Sequence, residues 1–285
     1  MSTSTDARTP EGPAAADYAR FCGGVRSLLR IDLDDYRRGQ MERRLRSFAR
    51  RSGDGDLDAY LERLRRDVAA REAFLDHMTI NVSELFRNPE RFAELERDIL
   101  PGLVATAGRR GLKVWSAGCS YGAEPYSLGV LLAEADPGAR HEITATDLDE
   151  RVLARAREGR FTEADMRAVT RARRERWFRT EADGGVRADD ALRRSIRFSR
   201  LDLLADRFPA GQDLILCRNV VIYFTEDAKE RLYSRFLQAL RPGGVLFVGA
   251  TERIARSDEL GWEKQGMFFY RRPDGPAVTQ EGPNR

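Results

Sequence analysis

The sequence predicts an α/β fold in which a small all-helical domain precedes a parallel sheet wound with helices. The first observation is that every periodic segment between Asp17 and Met78 places its apolar residues at helical spacing. The second is that from Leu112 onward short apolar segments alternate with helix-length segments, which is typical of a parallel sheet. We therefore expect a helical N-terminal domain over residues 17–78 and a sheet domain over residues 79–271.

Both ends of the chain differ from the rest in composition. Residues 1–16 and 272–285 are rich in Pro, Gly, Ser and Thr, with too few apolar side chains to offset the entropy of ordering. We expect two disordered tails. The start of the chain also lacks the apolar core of a secretory signal, and no apolar run approaches the roughly 20 residues of a membrane helix. These features predict a cytoplasmic protein without membrane insertion.

The overall composition is that of a globular protein. The chain has 285 residues, of which 41% are hydrophobic, which is enough to bury a large core. The cysteines Cys22, Cys119 and Cys217 are far apart, and only His77 and His141 could join them in a metal site. We interpret them as free thiols and expect no metal.

In the helical domain, the segment YRRGQMERRLRSFARR combines an apolar stripe with a basic face. Met41, Leu45 and Phe48 recur at helical spacing and form the stripe. Residues 37–51 carry seven arginines against a single acid, Glu42. An acidic helical partner would dock there, and the alternative is an ordinary solvated face. Nucleic acid is not expected, because no aromatic platform accompanies the arginines. The candidate docking residues are Arg37, Arg43, Arg44, Arg46, Arg50 and Arg51.

The sheet domain opens with a glycine-containing crossing from strand to helix, KVWSAGCSYGAEPYSLGVLLAE. Gly118 and Gly122 lie where a glycine-rich turn at the end of a parallel strand lets the backbone approach a nucleotide-like ligand. The spacing does not match the dinucleotide fingerprint G-x-G-x-x-G, which disfavours NAD. The alternative is a tight turn without a ligand. The predicted strands are LKVWSA, HEITATD, SIRFSRLD, DLILC and GGVLFVGA.

The second predicted strand ends in ATDLDE. Asp147 at its end has a carboxylate that can accept hydrogen bonds from both hydroxyls of a ribose. The alternative is a helix cap, because Asp147 or Asp149 could cap the helix that follows.

The late strands point to the same class of ligand. LQALRPGGVLFVGA is typical of the late sheet strand in S-adenosylmethionine-dependent methyltransferases, which have a Rossmann-like fold. The buried strand in DLILCRNVVIYF is predicted to deliver Arg218, Asn219 and Tyr223 to the same sheet end. The signature of nucleic-acid amino-methyltransferases, Asp/Asn-Pro-Pro-Tyr/Phe, is absent from this position.

At these residues the chain resembles the CheR family of chemotaxis receptor methyltransferases. The matching stretches are MTINVSELFRNPERF, WSAGCSYGAEPYSL, ATDLDERVLARAREGRF, LILCRNVVIYF, LRPGGVLFVGATE and FFYRR. They occur in this order and cover most of the chain. The resemblance implies methyl transfer from S-adenosylmethionine to glutamate side chains on the cytoplasmic helices of chemoreceptors. We expect the enzyme to act as a monomer.

The resemblance also implies a set of site residues. In two places the sequence departs from the commoner family letters: Ser83 replaces Thr and keeps the hydroxyl, whereas Asp202 replaces Asn and exchanges an amide for a carboxylate. Without the resemblance, NVSELF reads as a helix cap, with Asn81 capping and Glu84 three residues on. The implied cofactor contacts are Asn81, Ser83, Arg87, Glu124, Asp147, Asp202, Leu203, Arg218 and Asn219.

The chemistry of the proposed reaction follows from the substrate. A glutamate with a pKa of about 4.3 is already ionised near neutral pH and needs no general base. The enzyme must therefore supply position and exclude water. We expect Tyr223 to orient the incoming carboxylate and Arg87 or Arg218 to hold it electrostatically. The alternative for Tyr223 is an aromatic side chain that completes a core strand.

The segment of about 160–195 resembles a small inserted antiparallel β subdomain, with which some family members bind a tether peptide at the receptor's C-terminus. The turn RTEADGG looks shorter here than in tether-binding relatives, and its two acids would oppose an acidic peptide. We therefore predict that a tether is not required. The alternative is that Gly184 and Gly185 still form a docking loop.

Two other functions stay open from the residues alone. One is a non-catalytic, cofactor-binding partner of receptors, against which the intact Arg87, Glu124, Asp147 and Tyr223 argue. The other is a methyltransferase for small carboxylates, which the basic helical domain disfavours.

Overall fold

The computed structural model describes residues 13–78 and 83–275. These residues form two compact units. The first comprises the chain up to His77 together with Tyr223–Thr225, and the second comprises the remainder.

The two predicted tails lie mostly outside the described residues. At the N-terminal end, however, the first helix already begins at Pro13, inside the segment predicted to be disordered. At the C-terminal end, the backbone N–H of Arg272 donates to the carbonyl of Gly244 at 2.8 Å. Structure therefore extends a few residues into both predicted tails.

The first unit is helical, as predicted. The ring centroids of Phe21 and Tyr60 lie 5.8 Å apart, and Phe74 packs against both rings. Asp56 begins the third helix, because its side chain accepts the backbone N–H of Ala59 at 2.8 Å. The helices are α1 (Pro13–Leu29), α2 (Arg38–Arg51), α3 (Leu57–Arg66) and α4 (Val68–Met78).

The apolar stripe of α2 packs into this core. Met41 and Leu45 are buried, as the helical spacing predicted. Ala49 continues the buried line, whereas Phe48 is half-buried and stacks on His77 with ring centroids 4.1 Å apart. Because alanine is small and only weakly apolar, the sequence pattern placed Phe48, and not Ala49, in the buried stripe.

A short segment from late in the chain belongs to the first unit. Tyr36 and Phe224 form an antiparallel bridge, and their rings meet edge to face at 5.1 Å. The backbone N–H of Arg37 donates to the Tyr223 carbonyl at 2.9 Å, and that of Thr225 donates to the Asp35 carbonyl at 2.8 Å. Backbone pairing over a large sequence separation therefore places Tyr223–Thr225 with the helices, and not with the predicted sheet domain.

The second unit is built on a seven-stranded sheet with the order β6-β2-β1-β7-β8-β10-β9. The first five of these strands run parallel, and β10 and β9 add an antiparallel edge. Both the α/β class and the five predicted strands are confirmed. The strands are β1 (Lys113–Ala117), β2 (Glu142–Asp147), β3 (Arg160–Phe161), β4 (Phe178–Thr180), β5 (Val186–Ala188), β6 (Ile196–Arg200), β7 (Gln212–Cys217), β8 (Leu240–Val248), β9 (Glu263–Lys264) and β10 (Phe269–Arg271).

The central strands are covered on both faces. Every residue of β7 is buried, and β1 is buried from Val114 to Ala117. Continuous apolar strands of this kind need helices on both sides of a parallel sheet. A π-helical segment, Leu95–Ile99, joins the first two helices of this unit, Pro89–Glu94 and Leu100–Ala107. The helices are α5 (Pro89–Glu94), α6 (Leu100–Ala107), α7 (Ala123–Ala135), α8 (Glu150–Glu158), α9 (Arg171–Trp177), α10 (Asp190–Ser195) and α11 (Glu226–Ala239).

The predicted insertion forms its own small sheet. Strands β3, β5 and β4 pair antiparallel in that order, within the predicted limits of about 160–195. Phe161, Phe178 and Val186 are buried beneath it. The Phe161 ring also meets Tyr126 of α7 edge to face at 5.4 Å, which anchors the insertion to the main sheet layer.

Cys22, Cys119 and Cys217 are buried free thiols. Over residues 13–78 and 83–275, no helix has the length and apolar character needed to cross a membrane. Within the same ranges, the acidic, cysteine and histidine side chains form no cluster of three or more suited to a metal ion.

Candidate active site

The candidate site lies at the edge of the sheet where the parallel strands end. The carboxyl ends of β6, β2, β1 and β7 meet at this edge, because these strands pair in parallel register. The strand order reverses at β1: β2 and β6 lie on one side of it, and β7 and β8 lie on the other. Open α/β sheets bind ligands at such a position. The predicted residues Asp202, Asp147, Gly118 and Arg218 follow these four strand ends.

The glycine loop between β1 and α7 is held against β2. The backbone N–H groups of Gly118 and Cys119 both donate to the Thr146 carbonyl, at 2.8 and 2.9 Å. Gly118 and Gly122 have φ angles of 79° and 98°, a region that favours glycine. A Cβ atom at Gly118 would lie 2.5 Å from the Val220 side chain, so close packing also requires glycine there.

Asp147 is the most distinctive side chain of the site. It is only 7% exposed, and its two oxygens accept backbone N–H groups of Ser120 at 2.8 Å and Asp149 at 3.1 Å. Each oxygen keeps a further lone pair for a hydroxyl donor. Burial raises the pKa of Asp147, and the backbone hydrogen bonds oppose that shift.

The structure separates the two roles that the sequence left open at ATDLDE. Asp149 caps α8, because its side chain accepts the Arg151 N–H at 2.8 Å. Asp147 instead bonds to the glycine loop through Ser120. The cap and the candidate ribose-binding carboxylate are therefore different residues.

Glu124 and Arg218 form a buried ion pair behind the loop. Arg218 Nη1 lies 3.6 Å from Glu124 Oε2, and Ser116 Oγ donates to Glu124 Oε1 at 2.7 Å. Burial raises the pKa of Glu124 and lowers that of Arg218, while their mutual attraction opposes both shifts.

Arg218 also supports the segment before α5. Its Nη2 donates to the Arg87 carbonyl at 2.8 Å and to Asn88 Oδ1 at 3.1 Å. The guanidinium carbon lies 5.0 and 4.7 Å from the ring centroids of Phe92 and Phe247. Arg218 is 7% exposed, so its bonding is directed mainly at the protein's own backbone and carboxylates.

The predicted residues on this segment are only partly described. Asn81 lies outside the described residues, and so does the cap that NVSELF would form. The Ser83 carbonyl accepts a hydrogen bond from the Tyr121 hydroxyl of the glycine loop. Phe86 has a φ of 55°, and its N–H donates to Ser127 Oγ at 2.7 Å. The structure thus brings Ser83 beside the glycine loop, and Arg87 beside Arg218.

Asp202 closes the loop after β6. Its Oδ1 accepts the Leu204 N–H at 2.8 Å, and its own N–H donates to Asp206 Oδ2 at 2.8 Å. The Leu203 carbonyl accepts a hydrogen bond from Arg235. Burial raises the pKa of Asp202. The carboxylate that replaces the commoner amide therefore forms a local turn that shapes this side of the site.

Glu252 is a site residue that the sequence reasoning missed. It is 4% exposed and accepts the N–H groups of Val221 at 2.8 Å, Gly249 at 3.0 Å, and Asn219. Asn219 has a φ of 60°, so this carboxylate holds a strained turn after β7. The sequence signal that could have revealed Glu252 is the segment GATE, residues 249–252, which follows the buried strand β8 directly.

Tyr223 lies with the first unit, four residues beyond Asn219 in the chain. It ends a short 3-10 turn, Val221–Tyr223, and is partly exposed. In the same unit Arg44 donates to the His77 carbonyl, and its electrostatic interaction with Tyr223 opposes the lowering of its pKa by burial. The Arg44 side chain therefore bonds within the first unit.

The arginines of α2 divide into two sets. Arg46 donates to both oxygens of Asp17, at 2.8 and 2.7 Å, and also pairs with Glu42. Arg43 and Arg50, by contrast, are exposed. Of the predicted docking residues, Arg46 is thus held by a structural ion pair, because charge spacing on a helix does not reveal tertiary partners.

Two family models match the chain. The model for the "CheR methyltransferase, all-alpha domain" matches residues 16–79, and that for the "CheR methyltransferase, SAM binding domain" matches residues 81–266. The chain belongs to the CheR methyltransferase family. The predicted family and fold are confirmed.

CheR relatives with curated descriptions align over nearly the whole chain. The chemotaxis protein methyltransferase of Listeria monocytogenes is 40% identical over 255 residues, covering 89% of this chain and 96% of the relative. That of Escherichia coli is 33% identical over 267 residues, covering 90% of each chain. Chemotaxis protein methyltransferase 1 of Pseudomonas aeruginosa is 32% identical over 250 residues, covering 85% and 91%. The protein is a methyltransferase of the chemotaxis type that uses S-adenosylmethionine.

The residues at the sheet edge fit this cofactor. Asp147 is a buried carboxylate whose protein donors are backbone N–H groups, which leaves acceptor capacity for ribose hydroxyls. Arg218 Nε is a buried donor without a hydrogen-bond partner among the described residues. The carboxylate of an amino-acid moiety is the kind of acceptor that would satisfy it.

Proposed function

We propose that this CheR-family protein transfers the methyl group of S-adenosylmethionine to the γ-carboxylates of glutamates on the cytoplasmic helices of chemoreceptors. The buried Asp147 at the carboxyl end of β2 is the observation that carries the proposal, because it is a carboxylate built for two hydroxyl donors. The family membership supports a methyl transfer in chemotaxis.

The proposed cofactor seat is formed by the second unit. Asp147 binds the ribose, and the glycine loop allows close approach of the backbone. Asp202 and Leu203 border the adenine side, and Glu124, Arg218 and Asn219 border the amino-acid side. Ser83 and Arg87 complete the seat from the segment before α5, and Asn81, which lies outside the described residues, is assigned to it by the family resemblance alone. When bound, the cofactor supplies an electrophilic methyl group on a sulfonium.

The residues of the chain then have to position the substrate carboxylate. A glutamate is already ionised near neutral pH, so no side chain needs to remove a proton. We assign orientation of the carboxylate to Tyr223 and its electrostatic attraction to Arg87. Arg218 already bonds Glu124, the Arg87 carbonyl and Asn88. This favours a role in holding the segment before α5 over direct contact with the substrate.

The partner surface is proposed to be the exposed basic side of α2. Arg43, Arg50 and Arg51 are exposed there, whereas Arg44 and Arg46 bond within the first unit. Acidic receptor helices are the expected partner, because opposite charges steer encounter and fix register.

The direct test is methyl transfer with labelled S-adenosylmethionine and purified receptor cytoplasmic fragments. The expected product is a base-labile methyl ester on the receptor, because γ-glutamyl esters hydrolyse in alkali. A receptor fragment with its acceptor glutamates changed to glutamine is the matched control. Base-stable label would contradict glutamate esterification, and label in small carboxylates alone would favour the small-molecule alternative. No label with intact cofactor binding would favour a non-catalytic partner.

A further inference from the structure

The Tyr121 hydroxyl lies where three segments of the second unit meet. Its one proton is shared between two acceptors, the Ser83 carbonyl and Asp165 Oδ1 of the insertion, the latter at 2.9 Å. Tyr121 itself belongs to the glycine loop and is 7% exposed. One hydroxyl therefore links the loop, the segment before α5 and the inserted subdomain.

Asp165 presents a fixed acceptor to this hydroxyl. Its Oδ2 accepts both the N–H and the hydroxyl of Thr162, each at 2.8 Å. Its carbonyl accepts the Leu85 N–H at 3.1 Å. The turn that carries Asp165 is therefore tied to the same segment that Tyr121 bonds through Ser83.

The Tyr121 ring is also restrained. The Arg155 guanidinium carbon lies 5.1 Å from the ring centroid, within the range of a cation–π contact. Burial raises the pKa of Tyr121, so the hydroxyl keeps the proton that it donates. The ring position and the donor are thus both fixed before any ligand binds.

A second contact from the insertion reaches the same segment. The Arg173 guanidinium carbon lies 5.0 Å from the Phe86 ring centroid. Arg173 is itself held by Glu96 at 2.7 Å and Glu134 at 2.8 Å. The insertion therefore holds the segment of Ser83 to Asn88 at several points, since Arg167 Nη2 also lies 3.8 Å from Glu84 Oε2.

We propose that Tyr121 is a positioning residue for the cofactor, through which the insertion sets cofactor affinity. The neighbouring Ser120 donates its N–H to Asp147, and Ser83 and Arg87 lie on the segment that the Tyr121 hydroxyl fastens. Loss of the hydroxyl releases both sides of the seat, including the segment that carries Arg87. The inference rests on the proposed placement of the cofactor against Asp147.

The test compares Tyr121→Phe with Tyr126→Phe in the full-length protein. Tyr126 is the matched control, because its hydroxyl also bonds a backbone carbonyl, that of Ala156 at 3.1 Å, but contacts neither Ser83 nor Asp165. Calorimetry with S-adenosylhomocysteine should show affinity about five- to tenfold weaker in Tyr121→Phe, the loss expected for one hydrogen bond. Tyr126→Phe should bind like the wild type.

Two further readouts distinguish positioning from a general loss of structure. Hydrogen exchange of the Leu85 amide should be faster in Tyr121→Phe alone, and urea unfolding should show similar losses of stability in the two variants, because each loses one hydrogen bond. Wild-type affinity in Tyr121→Phe, or equal weakening in both variants, would overturn the inference. Asp147→Ala distinguishes failure of the proposed cofactor site from failure of the role of Tyr121. If Asp147→Ala binds the cofactor normally, the proposed site is wrong. If Asp147→Ala fails to bind while Tyr121→Phe binds normally, only the role of Tyr121 is refuted.

Discussion

Arg218 Nη1 lies 3.6 Å from Glu124 Oε2, and this buried pair connects the strand end of β7 to the first turn of α7. Burying both charges is costly unless their remaining donors and acceptors are satisfied. Ser116 bonds the carboxylate, whereas the guanidinium bonds the Arg87 carbonyl and Asn88. The pair thereby fixes the relative positions of three segments that border the proposed cofactor seat.

Asp147→Ala is expected to weaken S-adenosylhomocysteine binding about 100-fold, because two hydrogen bonds to an ionised carboxylate are lost. Binding should also depend on pH. Burial raises the pKa of Asp147, so affinity should be full above that raised value and fall as pH drops through it. The fall should begin at a higher pH than an exposed aspartate would give.

Calorimetry between pH 4.5 and pH 8, a range that lies above the ordinary carboxylate pKa of about 4, measures this dependence. Asp147→Asn is the control, since its side chain does not ionise. The part of the pH dependence that this variant removes belongs to Asp147. Identical pH profiles in wild type and Asp147→Asn would contradict the assignment.

Tyr223→Phe should lower turnover about tenfold, because one hydrogen bond to the substrate carboxylate is lost, with little change in cofactor affinity. Steady-state kinetics on receptor fragments and calorimetry on the cofactor measure the two effects separately. Tyr233→Phe is a suitable control, because its hydroxyl bonds the Glu252 carbonyl within the second unit. Normal turnover in Tyr223→Phe would mean that Tyr223 only packs against its neighbours.

Glu252→Gln should destabilise the protein by about 2–3 kcal/mol. Both carboxylate oxygens accept backbone N–H groups, and a glutamine offers one acceptor and sets an NH₂ against the other donors. Urea unfolding measures the loss. Glu259→Gln, at an exposed carboxylate, is the control and should leave stability unchanged. Equal stability of the two variants would show that the turn after β7 does not depend on Glu252.

The sequence predicted the sheet strands and the position of Asp147 at the end of β2, because apolar periodicity and strand-end carboxylates are local signals. It did not predict the bonding of Arg46 with Asp17, nor the bridge of Tyr36 with Phe224, which joins residues far apart in the chain. Glu252 was missed for the same reason: its partners are backbone N–H groups of a turn formed some 30 residues earlier. Hydrogen bonds between residues far apart in the chain do not appear in the local pattern of apolar and polar residues.

Arg43→Glu combined with Arg50→Glu should lower the kcat/KM for receptor methylation about tenfold at low salt. Both side chains are exposed on α2, so the charge change should not disturb the core. The difference from wild type should shrink at high salt, because exposed charges are screened over about 10 Å at 0.1 M. Cofactor binding should be unchanged.

The matched control reverses two exposed arginines of α3, Arg65 and Arg66. If this pair lowers receptor methylation as much as the α2 pair, general basicity and not a docking face explains the effect. Full activity in the α2 variant would favour an ordinary solvated helix face.

Receptor methylation is expected to proceed without a C-terminal tether. In the turn between β4 and β5, Arg160 binds Glu181 at 2.8 Å and Asp183 at 2.5 Å, and Arg187 lies 3.6 Å from Glu181. The two acids are therefore neutralised and do not repel an acidic peptide as the sequence predicted. The same pairing gives a different reason for the prediction, because the arginines that would receive an acidic peptide are already occupied. Initial methylation rates should be equal for a full-length receptor and one lacking its terminal residues. A large fall in rate on truncation would show that the Gly184–Gly185 turn opens to bind the tether, since the arginines would have to exchange their partners for it.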